Sequence, residues 1–201
     1  MHEHGFQTKQ LVPDRNAVFA SVARKVRNER VLYLEFGVFE GASIRYWSRE
    51  LQHPDSILHG FDSFEGLPED FDVSYHYSLG KGAFSTQGRV PVIHDKRVKF
   101  FKGWFDQVLP GYSVPPHNVL VINMDADLYS STLYVLRHLR KWIRCGTFIY
   151  FDEMSRLEHE PRAFEVFLRE NKLSFRLVCA DQSLNNAFFE CIGEGAGGSQ
   201  V

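Results

Sequence analysis

Apolar residues in this chain follow two different periods. Val18, Phe19, Val22 and Val26 recur at helical spacing, which predicts an amphipathic helix over residues 13–27 that packs one face on the rest of the molecule. Val31-Leu32-Tyr33-Leu34 is instead an uninterrupted apolar run, as expected of a strand covered on both faces. It leads into Glu35-Phe36-Gly37 and then a helical stretch from about 42 to 51. Short apolar runs at 57–61, 98–101, 119–124 and 147–151 predict further strands, followed by Asp62, by Gly103, by Asp125-Ala126-Asp127 and by Asp152-Glu153.

Two more helices are expected. Over 131–144, Leu133, Leu136, Leu139, Trp142 and Ile143 repeat at helical spacing, with residues 130–132 available as a cap and Gly146 as the stop. Over 161–171, Phe164, Phe167 and Leu168 face inward. Runs at 175–179 and 187–192 predict a closing hairpin through Asp181-Gln182-Ser183-Leu184-Asn185-Asn186. Strands alternating with helices predict an α/β fold with a mostly parallel, seven-stranded sheet, an antiparallel strand at one edge and helices on both faces. Residues 1–192 are expected to form one domain and 193–201 a disordered tail. Residues 63–92, rich in Gly, Ser, Asp and aromatics and without clear periodicity, read as a lid or insertion, with Gly80-Lys81-Gly82-Ala83-Phe84-Ser85 as its mobile part.

Ligands on such sheets bind beyond the carboxyl ends of the strands, which puts Glu35, Gly37, Asp62, Gly103, Asp125, Asp127, Asp152 and Glu153 on one rim. Gly37 and Gly41 let the backbone turn tightly beside a ligand. A dinucleotide is disfavoured because Phe39 stands where a pyrophosphate needs room, whereas Asp62 suits the ribose hydroxyls of an adenosyl group. Gly103-Trp104-Phe105 offers an aromatic wall for adenine. Asp125 and Asp127, two apart on an extended chain, are expected to point the same way and to meet Asp152 and Glu153 from a neighbouring strand. Crowded carboxylates hold a proton or a cation, and all-oxygen ligation suits Mg²⁺ or Mn²⁺. We therefore assign Asp125, Asp152 and Glu153 as metal ligands and Asp127 as the general base that takes a proton from a hydroxyl acceptor. No histidine is assigned a role. A nucleotide-sugar glycosyltransferase built on Asp125-Ala126-Asp127 and a non-catalytic cofactor-binding domain are the rival readings.

Composition narrows the partners. A formal net charge of -2 argues against a nucleic-acid backbone and leaves a small molecule. Cys145, Cys179 and Cys191 lie in or beside apolar segments without ligand spacing and read as buried thiols. The first residues lack a signal-peptide pattern and no apolar run is long enough for a membrane span, so a cytoplasmic location is expected. Exposed aromatics in the first helix and the lid make a homodimer an expectation too.

Four strings occur in order: Leu34-Glu35-Phe36-Gly37-Val38-Phe39-Glu40-Gly41-Ala42-Ser43, Gly60-Phe61-Asp62-Ser63-Phe64-Glu65-Gly66-Leu67-Pro68, Lys102-Gly103-Trp104-Phe105 with Leu109-Pro110, and Asp125-Ala126-Asp127-Leu128-Tyr129-Ser130-Ser131-Thr132. Together they resemble the metal-dependent sugar O-methyltransferases of antibiotic biosynthesis, the macrocin-O-methyltransferase group. The resemblance implies a Rossmann-like class I methyltransferase fold, S-adenosylmethionine as cofactor, and Mg²⁺ on Asp125 and on the Asp152-Glu153 pair. It also places Glu35, Gly37, Phe39, Gly41, Ser43, Asp62, Ser63, Gly103, Trp104 and Asp125 at the cofactor and aligns Asp127 with a proposed base. Relatives often carry two aspartates where this chain has Asp152-Glu153, and many are longer at the N-terminus.

Overall fold

The structure is a computed structural model in which residues 10–74 and 77–194 are described. The N-terminal residues read above for a leader, and the tail beyond Glu194, lie outside the described residues.

In chain order the elements are β1 (Leu11–Val12), α1 (Arg15–Val26), β2 (Val31–Phe36), α2 (Ala42–Glu50), β3 (Ile57–Asp62), β4 (Phe71–Ser74), β5 (Tyr77–Leu79), β6 (Val98–Lys102), α3 (Phe105–Val108), β7 (Val119–Met124), α4 (Tyr129–Leu139), β8 (Phe148–Phe151), α5 (Glu160–Asn171), β9 (Leu173–Asp181) and β10 (Ala187–Glu194). Eight strands form one sheet in the order β6-β3-β2-β7-β8-β10-β9-β1, and all but β10 run in one direction. Two corrections to the expected sheet follow. The strand count rises from seven to eight because Leu11–Val12 adds a short parallel strand on β9. The antiparallel strand is not at an edge: β10 inserts between β8 and β9, the position a tight return from β9 reaches directly. Asp181 closes that hairpin, its Oδ1 accepting from the amides of Asn185 (2.9 Å) and Asn186 (3.0 Å).

The period-two alternation of the strands divides the core. Leu32, Leu34 and Phe36 of β2 join Leu133 and Leu136 of α4 and Phe164 and Phe167 of α5 on one face. Val31 and Tyr33 join Val18, Phe19 and Val22 of α1 and Ile44 and Trp47 of α2 on the other. With strands on both sides and helices on both faces, every residue of β2 is buried.

Several local expectations change. α4 begins at Tyr129 with Leu128 before it and no side-chain cap, because the hydroxyl of Ser130 donates instead to Glu69 (2.6 Å). Residues 63–92 are not featureless: β4 and β5 pair antiparallel, and Leu67 exchanges backbone hydrogen bonds with Gly82 and Ala83. Leu67 and Phe71 pack there against Leu128, so this segment docks beside the end of β7. β10 takes in Gly193 and Glu194 from the expected tail. Of the cysteines Cys179 and Cys191 are buried free thiols as expected, but Cys145 is exposed, since it lies in the turn before β8.

Candidate active site

The chain leaves β2 toward β3 on one side of the sheet and returns through β7 on the other, so a crevice opens where the ends of β2 and β7 diverge. Gly37 stands at that point with φ +89°, and a Cβ there would lie 1.7 Å from the carbonyl oxygen of Asp125. The glycine is required by contact between two strand ends, which are joined by Asp125 N–H donating to Phe36 O (2.9 Å). Asp62, at the end of β3, holds the same turn: Oδ2 accepts from the amides of Val38 (2.7 Å) and Phe39 (2.8 Å), and Oδ1 from Phe64 (2.6 Å). Three backbone amides on one carboxylate hold Asp62 in place beside the cavity.

A cavity of about 760 Å³ opens over these strand ends. Gly37, Phe39, Asp62, Ser63, Gly103, Trp104, Asp125, Asp127, Asp152 and Glu153 all line it, so most of the residues placed on the rim by sequence do meet. Glu35 does not. It continues the Val31-Tyr33 face of β2, is 1% exposed, and accepts a hydrogen bond from the Tyr33 hydroxyl beneath the sheet. Burial pushes its carboxyl up to about 8. Gly41 is also off the cavity, packed against Pro91 as the residue before α2. Ser43 is buried in the first turn of α2 and meets the cavity through Arg15, whose Nη2 donates to its Oγ (2.8 Å).

The acids are not arranged as an extended pair. β7 stops at Met124, and Asp127 adopts φ +58°, a left-handed conformation that aspartate tolerates better than most residues. Asp125 and Asp127 consequently meet different partners. Asp125 Oδ2 accepts from Arg15 Nη2 (2.8 Å), while Arg15 Nε lies 3.3 Å from Asp152 Oδ1. Burial, followed by repulsion from Asp152, holds the Asp125 carboxyl well above its usual range against the pull of Arg15. Burial and the nearby charges of Glu153, Asp152 and Asp62 push Asp127 up to about 7. Glu153 pairs with Arg156 (3.0 Å). Among the described residues no group of three acid, histidine or cysteine side chains able to hold a metal ion is found; Arg15 stands against Asp125 and Asp152, and Arg156 against Glu153.

Sequence reasoning missed two residues of consequence. Glu160 is fully buried; its Oε1 accepts from Ala126 N (3.2 Å) and its Oε2 from Glu153 N (3.0 Å), so one carboxyl ties both acid-bearing loops together. Arg15 is the other. Each left the same signal: a charged residue opening an apolar helical stripe, Arg15 with Phe19, Val22 and Val26, and Glu160 with Phe164 and Phe167.

A profile described as "Macrocin-O-methyltransferase (TylF)" matches residues 14–187. An 8-demethyl-8-(2,3-dimethoxy-alpha-L-rhamnosyl)-tetracenomycin-C 4'-O-methyltransferase of Streptomyces olivaceus is 31% identical over 140 residues, covering 60% of this chain and 51% of its own. A demethyldecarbamoylnovobiocin O-methyltransferase of Streptomyces niveus is 36% identical over 161 residues, covering 72% of this chain and 60% of its own. The chain thus spans between half and two thirds of the length of these relatives. Among solved structures, the O-methyltransferase NovP aligns with TM-score 0.59 at 20% identity, over 87% of this chain and 76% of that one. An O-methyltransferase from Bacillus cereus in complex with SAH aligns with TM-score 0.57 at 16% identity, over 93% and 84%. These two share the Rossmann-like fold. With the profile spanning the strand ends, the cavity and the acid loops alike, the chain belongs to the macrocin-O-methyltransferase family.

Proposed function

We propose that this protein transfers a methyl group from S-adenosylmethionine to a hydroxyl on a sugar of a natural product or glycan, assisted by Mg²⁺ or Mn²⁺. The observation that carries the reading is the meeting, in one cavity of a chain from this family, of the glycine turn after β2 with the acids that end β7 and β8. The sugar acceptor is supported by the rhamnosyl group in the name of the Streptomyces olivaceus relative. The domain reading goes with it: one catalytic unit, with residues 63–92 as the lid over the cavity.

The cofactor fits the residues present. A cavity of about 760 Å³ suits a ligand of its size, with Gly37 on its floor and Phe39 and Trp104 as aromatic walls. When bound, the cofactor supplies an electrophilic methyl on a sulfonium centre. Asp62 fixes the turn beneath it by three amide contacts, and Ser43 holds Arg15 at the first turn of α2. The donor chemistry fits a divalent cation as well, since the four carboxyl groups of Asp125, Asp127, Asp152 and Glu153, all oxygen donors, line one cavity with Arg15 between two of them. Asp125, Asp152 and Glu153 would hold it, and it would lower the pKa of an acceptor hydroxyl. Asp127 is the proposed base: at about 7, its carboxyl is matched to accepting a hydroxyl proton near neutrality.

Calorimetric titration with S-adenosylhomocysteine and, in parallel, a UDP-sugar, each with Mg²⁺ or with chelator, tests this. Adenosyl binding without UDP-sugar binding supports the reading, and the reverse overturns it. A protein that binds the adenosyl ligand but methylates no hydroxyl acceptor, sugar or phenol, would be a cofactor-binding domain rather than an enzyme.

A further inference from the structure

The cation that the acid cluster calls for is already supplied in part by the chain. Arg15 sits at the start of the apolar stripe of α1, and its guanidinium passes over the rings of Phe19 (5.3 Å) and Tyr150 (5.8 Å) to reach the strand ends. There Nη2 donates to both Asp125 Oδ2 and Ser43 Oγ, each at 2.8 Å. One side chain of the first helix therefore touches the acid loop after β7, the first turn after the glycine loop, and Asp152 after β8.

The two carboxylates are held unequally. Asp125 receives a charge-assisted hydrogen bond, whereas the contact with Asp152 is an ion pair only, and the buried Arg15 Nε makes no hydrogen bond. The pairs are also open to solvent, the Arg15 side chain being 36% exposed and those of Asp125 and Asp152 25% and 19%. One guanidinium faces two carboxylates, which when both are ionised carry one negative charge more than it supplies. A dication compensates that charge better than a guanidinium, but both need the same carboxylate oxygens. The acids are not its only contacts, since Ser43 Oγ and the two aromatic rings also touch the guanidinium.

We propose that Arg15 is the exchangeable counter-ion of the Asp125 and Asp152 carboxylates, and that a divalent cation and the Arg15 guanidinium occupy these oxygens in alternation. Arg15 is then a positioning residue, one that keeps the acids in place while the cation is absent and sets how tightly it is taken up. The inference rests on the reading that these acids take a divalent cation.

Mn²⁺ titration of the full chain by calorimetry, on wild type, Arg15→Met and Lys81→Met, is the first arm. Arg15→Met keeps a long apolar stem over Phe19 and removes the competing charge, so Mn²⁺ affinity rises about fivefold, the upper effect of one partly exposed ion pair. Lys81→Met removes a positive charge that lines the same cavity and leaves the affinity within about twofold, since a charge outside the pairs is screened. The second arm needs no variant to fold: the Arg15 Nε–H resonance of ¹⁵N-labelled wild type moves on adding Mg²⁺ as the guanidinium leaves the acids. Cation binding with equal affinity in wild type and Arg15→Met, or an Arg15 resonance that stays in place at saturating Mg²⁺, overturns the exchange and leaves the metal reading standing. No cation binding to either protein overturns both.

Discussion

Replacing Gly37 by alanine tests the closest backbone approach in the site, and the fold contains its own control. Gly37 and Gly146 have nearly the same backbone, φ +89° and +87°, but a Cβ at Gly37 meets the Asp125 carbonyl at 1.7 Å whereas at Gly146 nothing lies within 4 Å. Both alanine variants carry the left-handed penalty of about 1–2 kcal/mol. Both also gain the same small benefit from a stiffer unfolded chain. These terms cancel between the two. What remains for Gly37→Ala is the overlap, worth about 1–3 kcal/mol as overpacking, and loss of the Asp125 to Phe36 hydrogen bond, about 1 kcal/mol. Gly37→Ala should therefore be less stable than Gly146→Ala by about 2–4 kcal/mol, which for a domain of this size lowers Tm by roughly 4–16 °C. Thermal unfolding followed by circular dichroism measures the difference. Since the strand end that must retreat carries Asp125, binding of S-adenosylhomocysteine should weaken about tenfold in Gly37→Ala and stay unchanged in Gly146→Ala. Equal Tm values for the two variants would refute the argument from close approach.

Glu160→Ala leaves the amides of Ala126 and Glu153 without their acceptor, at about 1–3 kcal/mol each, partly offset by removing a buried carboxyl; urea unfolding should show the loss, and unchanged hydrogen exchange at these two amides would count against the strap. Asp127→Asn should lower kcat by about 10² or more with cofactor affinity retained, and full turnover on an identified acceptor would remove Asp127 as the base. His59 is buried with its Nδ1 2.7 Å from the Tyr112 hydroxyl, and burial, then Lys99, lowers its pKa from 6.5 to about 4. The unfolded chain therefore binds that proton first, so the contribution of His59 is whole above pH 6.5 and is lost as pH falls toward 4. His59→Asn should flatten the fall of the urea midpoint over that window, and an identical pH profile would show that His59 does not report there.

Sequence alone carried the α/β alternation, the placing of the acids at strand ends and the residues of the glycine turn, because period and punctuation are local properties of the chain. It carried the family as well, through motifs that lie in those same turns. Tertiary structure decided what depends on neighbours. Glu35 belongs to the core and not the rim because the parity of β2 turns it under the sheet toward Tyr33. β10 enters the interior of the sheet because pairing with β8 satisfies two ladders where an edge satisfies one. Asp125 and Asp127 part company because β7 ends at Met124, just before Asp125, and the chain turns left-handed at Asp127. Arg15 and Glu160 open their helices as lone charges on apolar stripes, a pattern visible in the chain. Asp125 lies 110 residues from Arg15 and Ala126 34 from Glu160, so only the folded sheet could bring these pairs together.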